Sequence, residues 1–277
     1  MKNEIGVLSD LTSQGPAFAR VAEFGLKVCQ LCTWNPALWT EEMAERIRKE
    51  SQRTGVRISA VWVGWPGPAK WNFVEGPTTL GIVPKEFRAM RVEVLKKGAS
   101  FAKTVGTKAI ITHLGFIPEN PTDPCFKEVV EAVRDIAMHC KKMGLEFWFE
   151  TGQETPVTLL RLIKEVGTDN LGINLDPANL ILYGKANPID ALDVFGSYVR
   201  NIHAKDGLYP TNPMELGCEV KVGEGRVRFP EFVKRLTEIG FTGEYIIERE
   251  IQEGEEQNRD IIATVTFLKK LIRKEPV

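Results

Sequence analysis

Short apolar runs rich in β-branched and aromatic residues recur along the chain, each followed by a polar turn. A longer segment then repeats its apolar positions every three to four residues. The first pattern predicts a buried strand and the second an amphipathic helix, and the two alternate about eight times. Strands are predicted over Ile5 to Leu8, Lys27 to Leu31, Val56 to Val63, Lys108 to Thr112, Leu145 to Phe149, Leu171 to Leu175, Val199 to Ala204 and Tyr245 to Glu248. Helices are predicted over Pro16 to Phe24, Glu41 to Thr54, Lys85 to Val105, Phe126 to Met143, Pro156 to Val166, Ile189 to Phe195, Phe232 to Ile239 and Glu255 to Ile272. Gly55, Gly106, Gly144, Gly167 and Gly240 stand at helix exits, where a left-handed residue closes the last turn. Strict alternation argues for a parallel sheet wrapped by helices. Eight units argue for closure as an α/β fold of the (β/α)8 TIM barrel type, one domain over residues 1–277. An open doubly wound sheet is the weaker alternative, because no G-x-G-x-x-G follows the first strand and no Walker A sequence occurs.

Four of the apolar runs in the second half end on a metal-ligating residue: Glu150, Asp176, His203 and Glu248. Their spacings (150 to 176, 176 to 203, 203 to 248) are each one strand–helix unit, the last lengthened by a loop. Strand side chains alternate faces. The residues out of phase with the four, among them Phe147, Phe149, Ile173, Leu175, Ile202 and Ile247, are large and apolar. That face needs covering by helices, so the four point the other way, toward the mouth of a closed sheet. Three carboxylates gathered there could not all stay ionised without a cation between them. With one imidazole they form a hard, mostly oxygen site for one divalent ion; Mn²⁺ is favoured, and Mg²⁺, Co²⁺ or Zn²⁺ would also suit.

Composition narrows the partners. The 277 residues hold 36 Lys plus Arg against 37 Asp plus Glu, a net charge of -1. No general field attracts nucleic acid or an anionic membrane, and no run is apolar enough for a membrane span. A small neutral or mildly anionic molecule is the natural partner, and a homo-oligomer stays open. Five cysteines, an odd number, in a chain without a signal-peptide stretch imply a reduced, cytoplasmic setting. Cys29 and Cys32 make a lone C-x-x-C with no second pair, which reads as core cysteine. No G-x-S-x-G or H-E-x-x-H supports a serine hydrolase or a helix-borne metalloprotease.

Other candidates lie on the same rim. His113 ends the fourth strand and is assigned a role beside the metal or on the substrate, whereas His139 falls at helical spacing among Val129, Val133 and Ile136 and reads as structural. Lys205 shares strand parity with His203 and faces the same way. Gln153 and Asn179 are candidate readers of substrate hydroxyls. The connections Gly64 to Lys85, with Trp65 and Trp71, and Asp206 to Arg228, with Tyr209, are longer than a barrel needs and read as binding loops. One of Trp65 and Trp71 is expected to cover the substrate, with Trp65 taken as the candidate binding residue, since an aromatic ring suits the apolar face of a sugar.

At Asn-Leu-Asp-Pro-Ala-Asn (174 to 179), Ile-His-Ala-Lys-Asp-Gly (202 to 207), Val-Gly-Glu-Gly (222 to 225), Ile-Ile-Glu (246 to 248) and Phe-Glu-Thr-Gly-Gln-Glu-Thr (149 to 155), the chain resembles the xylose isomerase-like superfamily of sugar isomerases and epimerases. The resemblance implies that Glu150, Asp176, His203 and Glu248 bind one divalent metal and that Glu150 and Glu248 double as acid and base. Endonuclease IV-like members carry a histidine where Asn179 stands, so their multi-zinc cluster is not implied. Many ketose 3-epimerases carry an arginine soon after the metal histidine, where this chain has Lys205, Asp206 and Tyr209. The implied activity is a metal-dependent isomerase or epimerase acting on a keto-sugar or related polyol through an enediolate. A lyase or dehydratase of a keto-sugar, keto-inositol or 3-keto-glycoside on the same site is the enzyme alternative, and a catalytically silent sugar-binding barrel is the non-enzymatic one.

Overall fold

The computed structural model describes residues 3–272. Eight parallel strands close into a barrel: β1 (Ile5–Thr12), β2 (Val28–Thr33), β3 (Arg57–Val63), β4 (Ala109–Thr112), β5 (Glu146–Glu150), β6 (Leu171–Leu175), β7 (Val199–Ala204) and β8 (Glu244–Ile247). Each pairs with its sequence neighbours. Ile5 opposite Tyr245 brings β8 back to β1 and completes the ring. A helix follows every strand, so the expected (β/α)8 architecture is present.

The two faces of the strands divide as their alternation requires. Phe147, Phe149, Leu171, Ile173, Leu175, Ile202, Tyr245 and Ile247 all join the large core between strands and helices. Inside the barrel a smaller cluster of Ala60, Trp62, Ala109, Ile111 and Trp148 fills one part of the interior. Buried polar residues, Gln30 and Asn174 among them, fill another. Cys29 belongs to the outer core and Cys32 to the inner cluster, so the C-x-x-C points its thiols to opposite sides and cannot act as a pair. His139 is half-buried on its helix, near the Ser100 hydroxyl at 3.5 Å, which fits its structural reading.

Helix ends follow local chemistry. All five exit glycines have positive φ, between 68° and 93°. Several helices start earlier than periodicity predicts: Pro124–Lys142 and Pro188–Phe195 each begin on a proline behind an Asp123 or Asn187 cap. A proline at the first helical position gives up a donor that would lack a partner anyway. The first helix starts late, at Phe18, because Gly15 and Pro16 turn back to pair with Thr12 and Leu11 of an extended β1. Among the described residues no helix is long and apolar enough to cross a membrane.

Candidate metal centre

Glu150 ends β5, Asp176 follows β6, His203 lies in β7 and Glu248 follows β8, so four adjacent strands deliver them to one point. One ligand atom from each lies within 4.8 Å of the others. The centre of the cluster is His203 Nδ1, which stands 3.0 Å from Glu150 Oε1, 2.8 Å from Glu248 Oε2 and 3.9 Å from Asp176 Oδ2. All four side chains are almost wholly buried.

Each ligand is held by its surroundings. Asp176 caps the short helix Pro177–Leu182: its Oδ1 accepts the Asn179 backbone N–H at 2.9 Å, while Thr151 clasps its backbone from both sides. That leaves Oδ2 buried without a hydrogen-bond partner. Glu248 Oε2 is also unpartnered, since its close approach to His203 is not aligned as a hydrogen bond. Glu150 accepts from the Trp62 indole N–H through Oε2, and its Oε1 faces the Asn179 amide at 3.5 Å. His203 Nε2 lies 2.7 Å from Gln30 Oε1, and the Gln30 amide in turn donates to Asn174 Oδ1 at 3.3 Å. With Nε2–H donating to Gln30, Nδ1 carries a lone pair aimed at the three carboxylates.

Three buried carboxylates, two of them presenting an unpartnered oxygen, and one imidazole lone pair form a donor set that fits a hard divalent cation. Without one, the site stores proton affinity. Burial opposes charge on His203, yet Glu150 and Glu248 outweigh it and hold the ring well above its ordinary value. Burial pushes Asp176 up to about 7 against the pull of Lys205. Burial also works against Glu150, but His113 and His203 keep it well below the usual carboxylate range.

The remaining candidates divide. His113 sits at the cavity with Nε2 3.5 Å from Glu150 Oε1. Asn179 and Lys205 also line the cavity, and Lys205 Nζ is 3.4 Å from Asn179 Oδ1, 3.6 Å from Asp176, 3.8 Å from Glu248 and paired with Glu250. Gln153 is buried behind the wall with both amide atoms unpartnered. Trp65 is also behind it, only 2% exposed. It packs within 5.3 to 6.3 Å of Trp34, Trp62 and Trp71, and these three rings line the cavity instead. Gly64 makes room for that stack, since a Cβ there would lie 2.4 Å from the Trp34 ring. Arg91 pins the connection by donating to the carbonyls of Pro68, Thr79 and Gly81. Gln30, Trp62 and Trp34 were not singled out by the sequence reading. Gln30 occupies an inward strand position where an apolar residue would be expected, which is the signal that marks it.

A model of the xylose isomerase-like TIM barrel matches residues 18–271. The chain belongs to that family. A xylose isomerase domain protein from Planctomyces limnophilus is 35% identical, with a TM-score of 0.93 and 99% of each chain covered. Uncharacterized protein MJ1311 of Methanocaldococcus jannaschii is 27% identical over 190 residues, a match spanning 63% of this chain and 62% of that relative. At lower identity the fold is shared with an L-ribulose 3-epimerase (16% identical, TM-score 0.73, covering 99% and 100%) and with the probable 3-DHS dehydratase AsbF from Bacillus anthracis (18%, TM-score 0.65, covering 91% and 92%). The structural relatives thus include a sugar epimerase and a dehydratase.

Proposed function

We propose that this single-domain barrel is a divalent-metal-dependent isomerase or epimerase of a keto-sugar or related polyol. The observation that carries the reading is the convergence of Glu150, Asp176, His203 and Glu248 at the mouth, with Asp176 Oδ2 and Glu248 Oε2 buried and unpartnered. Those four residues would hold the ion, Mn²⁺ being favoured. When bound, it would polarise a substrate carbonyl and neutralise the negative charge that develops when an adjacent C–H proton leaves.

The chain's own groups supply the rest. Glu150 and Glu248 flank His203 from different strands, so one carboxylate can take the proton from the substrate carbon and the other return it. Return to the opposite face of the same carbon gives an epimer; return to the neighbouring carbon gives an aldose–ketose pair. Trp62 fixes Glu150 through its indole N–H, which orients one oxygen and leaves the other for the pocket. Asn179, His113 and Lys205 stand where substrate oxygens would lie and can hold them by hydrogen bonds. Trp71 and Trp34 present ring faces that exclude water from the reacting carbon.

Lys205 also favours a second reading. Wholly buried beside Glu248, it is kept charged by Glu248, Glu250 and Asp176, which outweigh the cost of burial. It can protonate a departing oxygen, which would make the reaction a β-elimination of the lyase or dehydratase kind. Incubating the Mn²⁺-loaded protein with a keto-sugar panel in D₂O tests both. Deuterium at the carbon next to the carbonyl with mass otherwise conserved supports the isomerase or epimerase; an unsaturated or split product supports the lyase. Lack of label, of conversion and of a primary isotope effect across the panel points to a sugar-binding barrel.

A further inference from the structure

The cavity above the metal cluster encloses about 770 Å³ and runs well past the four ligands. Pockets of roughly 300–1,000 Å³ accommodate drug-sized ligands, so this one exceeds the needs of a single sugar ring. From the Trp34, Trp62 and Trp71 wall it extends over the end of β1, past Ser9 and Asp10. It finishes between the helix Phe18–Glu23 and the start of the helix Glu255–Ile272, where Val21, Phe24, Ile251 and Ile261 give it an apolar lining.

Its charges are arranged against an anion. Five carboxylates and three cations line it, Asp176 adding a further acid at the cluster. Each of those cations already stands against a carboxylate. Arg20 uses all three nitrogens: Nε and Nη2 on Asn258 Oδ1 at 3.3 and 2.8 Å, Nη2 also on Gln257, and Nη1 on Glu253. Arg249 Nε donates to Asp260 at 3.0 Å while its Nη1 lies 3.0 Å from Glu219 without an aligned hydrogen bond, and Lys205 is enclosed by Glu250, Asp176 and Glu248. Phosphate recognition by arginine depends on a free fork of N–H donors; Arg20 has none left, and the Nη1 edge of Arg249 faces the Glu219 carboxylate, whose charge would repel a phosphate there. A divalent ion at the cluster would balance only part of the acid excess.

We infer that the substrate is an uncharged keto-sugar bearing a second ring or chain, not a sugar phosphate. The sugar to be turned over sits against the tryptophan wall at the metal cluster, and its substituent occupies the arm between Arg20 and Ile261. This rests on the carbohydrate reading above but stands on cavity extent and charge pairing.

Calorimetric titration of the Mn²⁺-loaded protein with D-fructose, lactulose (an uncharged ketose carrying a galactosyl ring) and D-fructose 6-phosphate tests it. Lactulose should bind about tenfold more tightly than fructose, and fructose 6-phosphate at least about fivefold more weakly. Glu253→Gln, which removes one negative charge beside Arg20, should narrow the gap between fructose and its phosphate. Fructose 6-phosphate binding as tightly as fructose overturns the charge argument. Lactulose binding no better than fructose, or not at all, overturns the extended arm. Deuterium exchange is scored separately on the same ligands, so the predicted binding order without exchange counts against the proton-transfer reading alone.

Discussion

Gln30 Oε1 on β2 lies 2.7 Å from His203 Nε2 on β7, a contact made through the barrel interior by residues 173 positions apart. Asn174 holds the Gln30 amide from its other side, so the glutamine has one orientation and His203 one tautomer. Gln30 is a positioning residue for the metal centre. Gln30→Leu should fill the same space and keep the fold, while metal affinity falls about 10- to 100-fold. Titration with Mn²⁺ measures the affinity, and circular dichroism checks the fold. Unchanged affinity would mean that the carboxylates alone set the site.

Metal uptake should release protons. Asp176 is raised to about 7 by burial, and His203 is held well above its ordinary value once the carboxylates outweigh the burial cost. Both must give up a proton before they can coordinate. Affinity should therefore rise with pH between about 6 and 8. Calorimetry at pH 7 in buffers of different ionisation enthalpy should show net proton release. In Asp176→Ala the barrel should remain folded but bind little metal and show no turnover. Elemental analysis showing full occupancy in that variant would remove Asp176 from the ligand set.

The strands, the closed barrel and the four converging residues were legible because each leaves a periodic trace: apolar alternation, a glycine after five of the helices, a ligand at four successive strand exits. Gln30 and Trp62 left weaker traces. Their importance depends on which residues face each other across the barrel, and spacing along one strand does not state that. The connection after β3 offers Trp65 and Trp71 as covers, and of the two only Trp71 reaches the cavity. Position along the loop could not show that Trp34, from the neighbouring connection, would lie over Gly64 and leave Trp65 beneath.

The tryptophans should separate by depth. Trp71, 41% exposed and 5.2 Å from the His113 ring, can be removed with little loss of packing. Trp71→Ala should raise KM with metal occupancy kept and stability nearly unchanged. Trp65→Ala should cost about 3–5 kcal/mol of stability, as deletion of a buried aromatic does. Thermal unfolding alongside kinetics on the true substrate distinguishes the two. Equal kinetic defects without destabilisation in Trp65→Ala would place its ring on the substrate after all.

Glu154 gives a pH prediction away from the ligands. Both its oxygens are buried without partners, and burial raises it to about 7, His113 opposing only in part. A carboxyl group whose folded value lies above its unfolded value binds its proton more tightly in the folded state. Its contribution is therefore full below about 4.5 and is lost as pH rises through about 7. Glu154→Gln should remove that loss, making the variant more stable than the parent at pH 8 by up to about 3 kcal/mol. Chemical denaturation at pH 5 and pH 8 measures it; a parent whose stability is flat over that range would show that water or a ligand satisfies the carboxylate.

The Val-Gly-Glu-Gly turn owes its residues to Asp206. That carboxylate accepts four backbone N–H groups, from Gly207 and Val227 on Oδ1 at 2.9 and 3.0 Å and from Gly223 and Gly225 on Oδ2 at 3.0 and 3.1 Å. The turn is thereby folded against the end of β7, one residue beyond Lys205. Gly225 must be bare for this, because a Cβ there would lie 2.1 Å from Asp206 Oδ1. Gly223, at φ 96°, occupies a conformation that side chains resist. Asp206→Ala would leave those four donors without their acceptor, at about 1–3 kcal/mol for each that water cannot reach. Release of the 207–227 connection should also move Lys205 and weaken substrate binding more than metal binding. Gly225→Ala should reproduce the effect by pushing the carboxylate aside. Hydrogen exchange at Gly223, Gly225 and Val227 reports the local opening. If Asp206→Ala leaves those amides protected and KM unaltered, the connection is held by its other contacts, such as Gly217 N–H on Leu182 O, and has no part in placing Lys205.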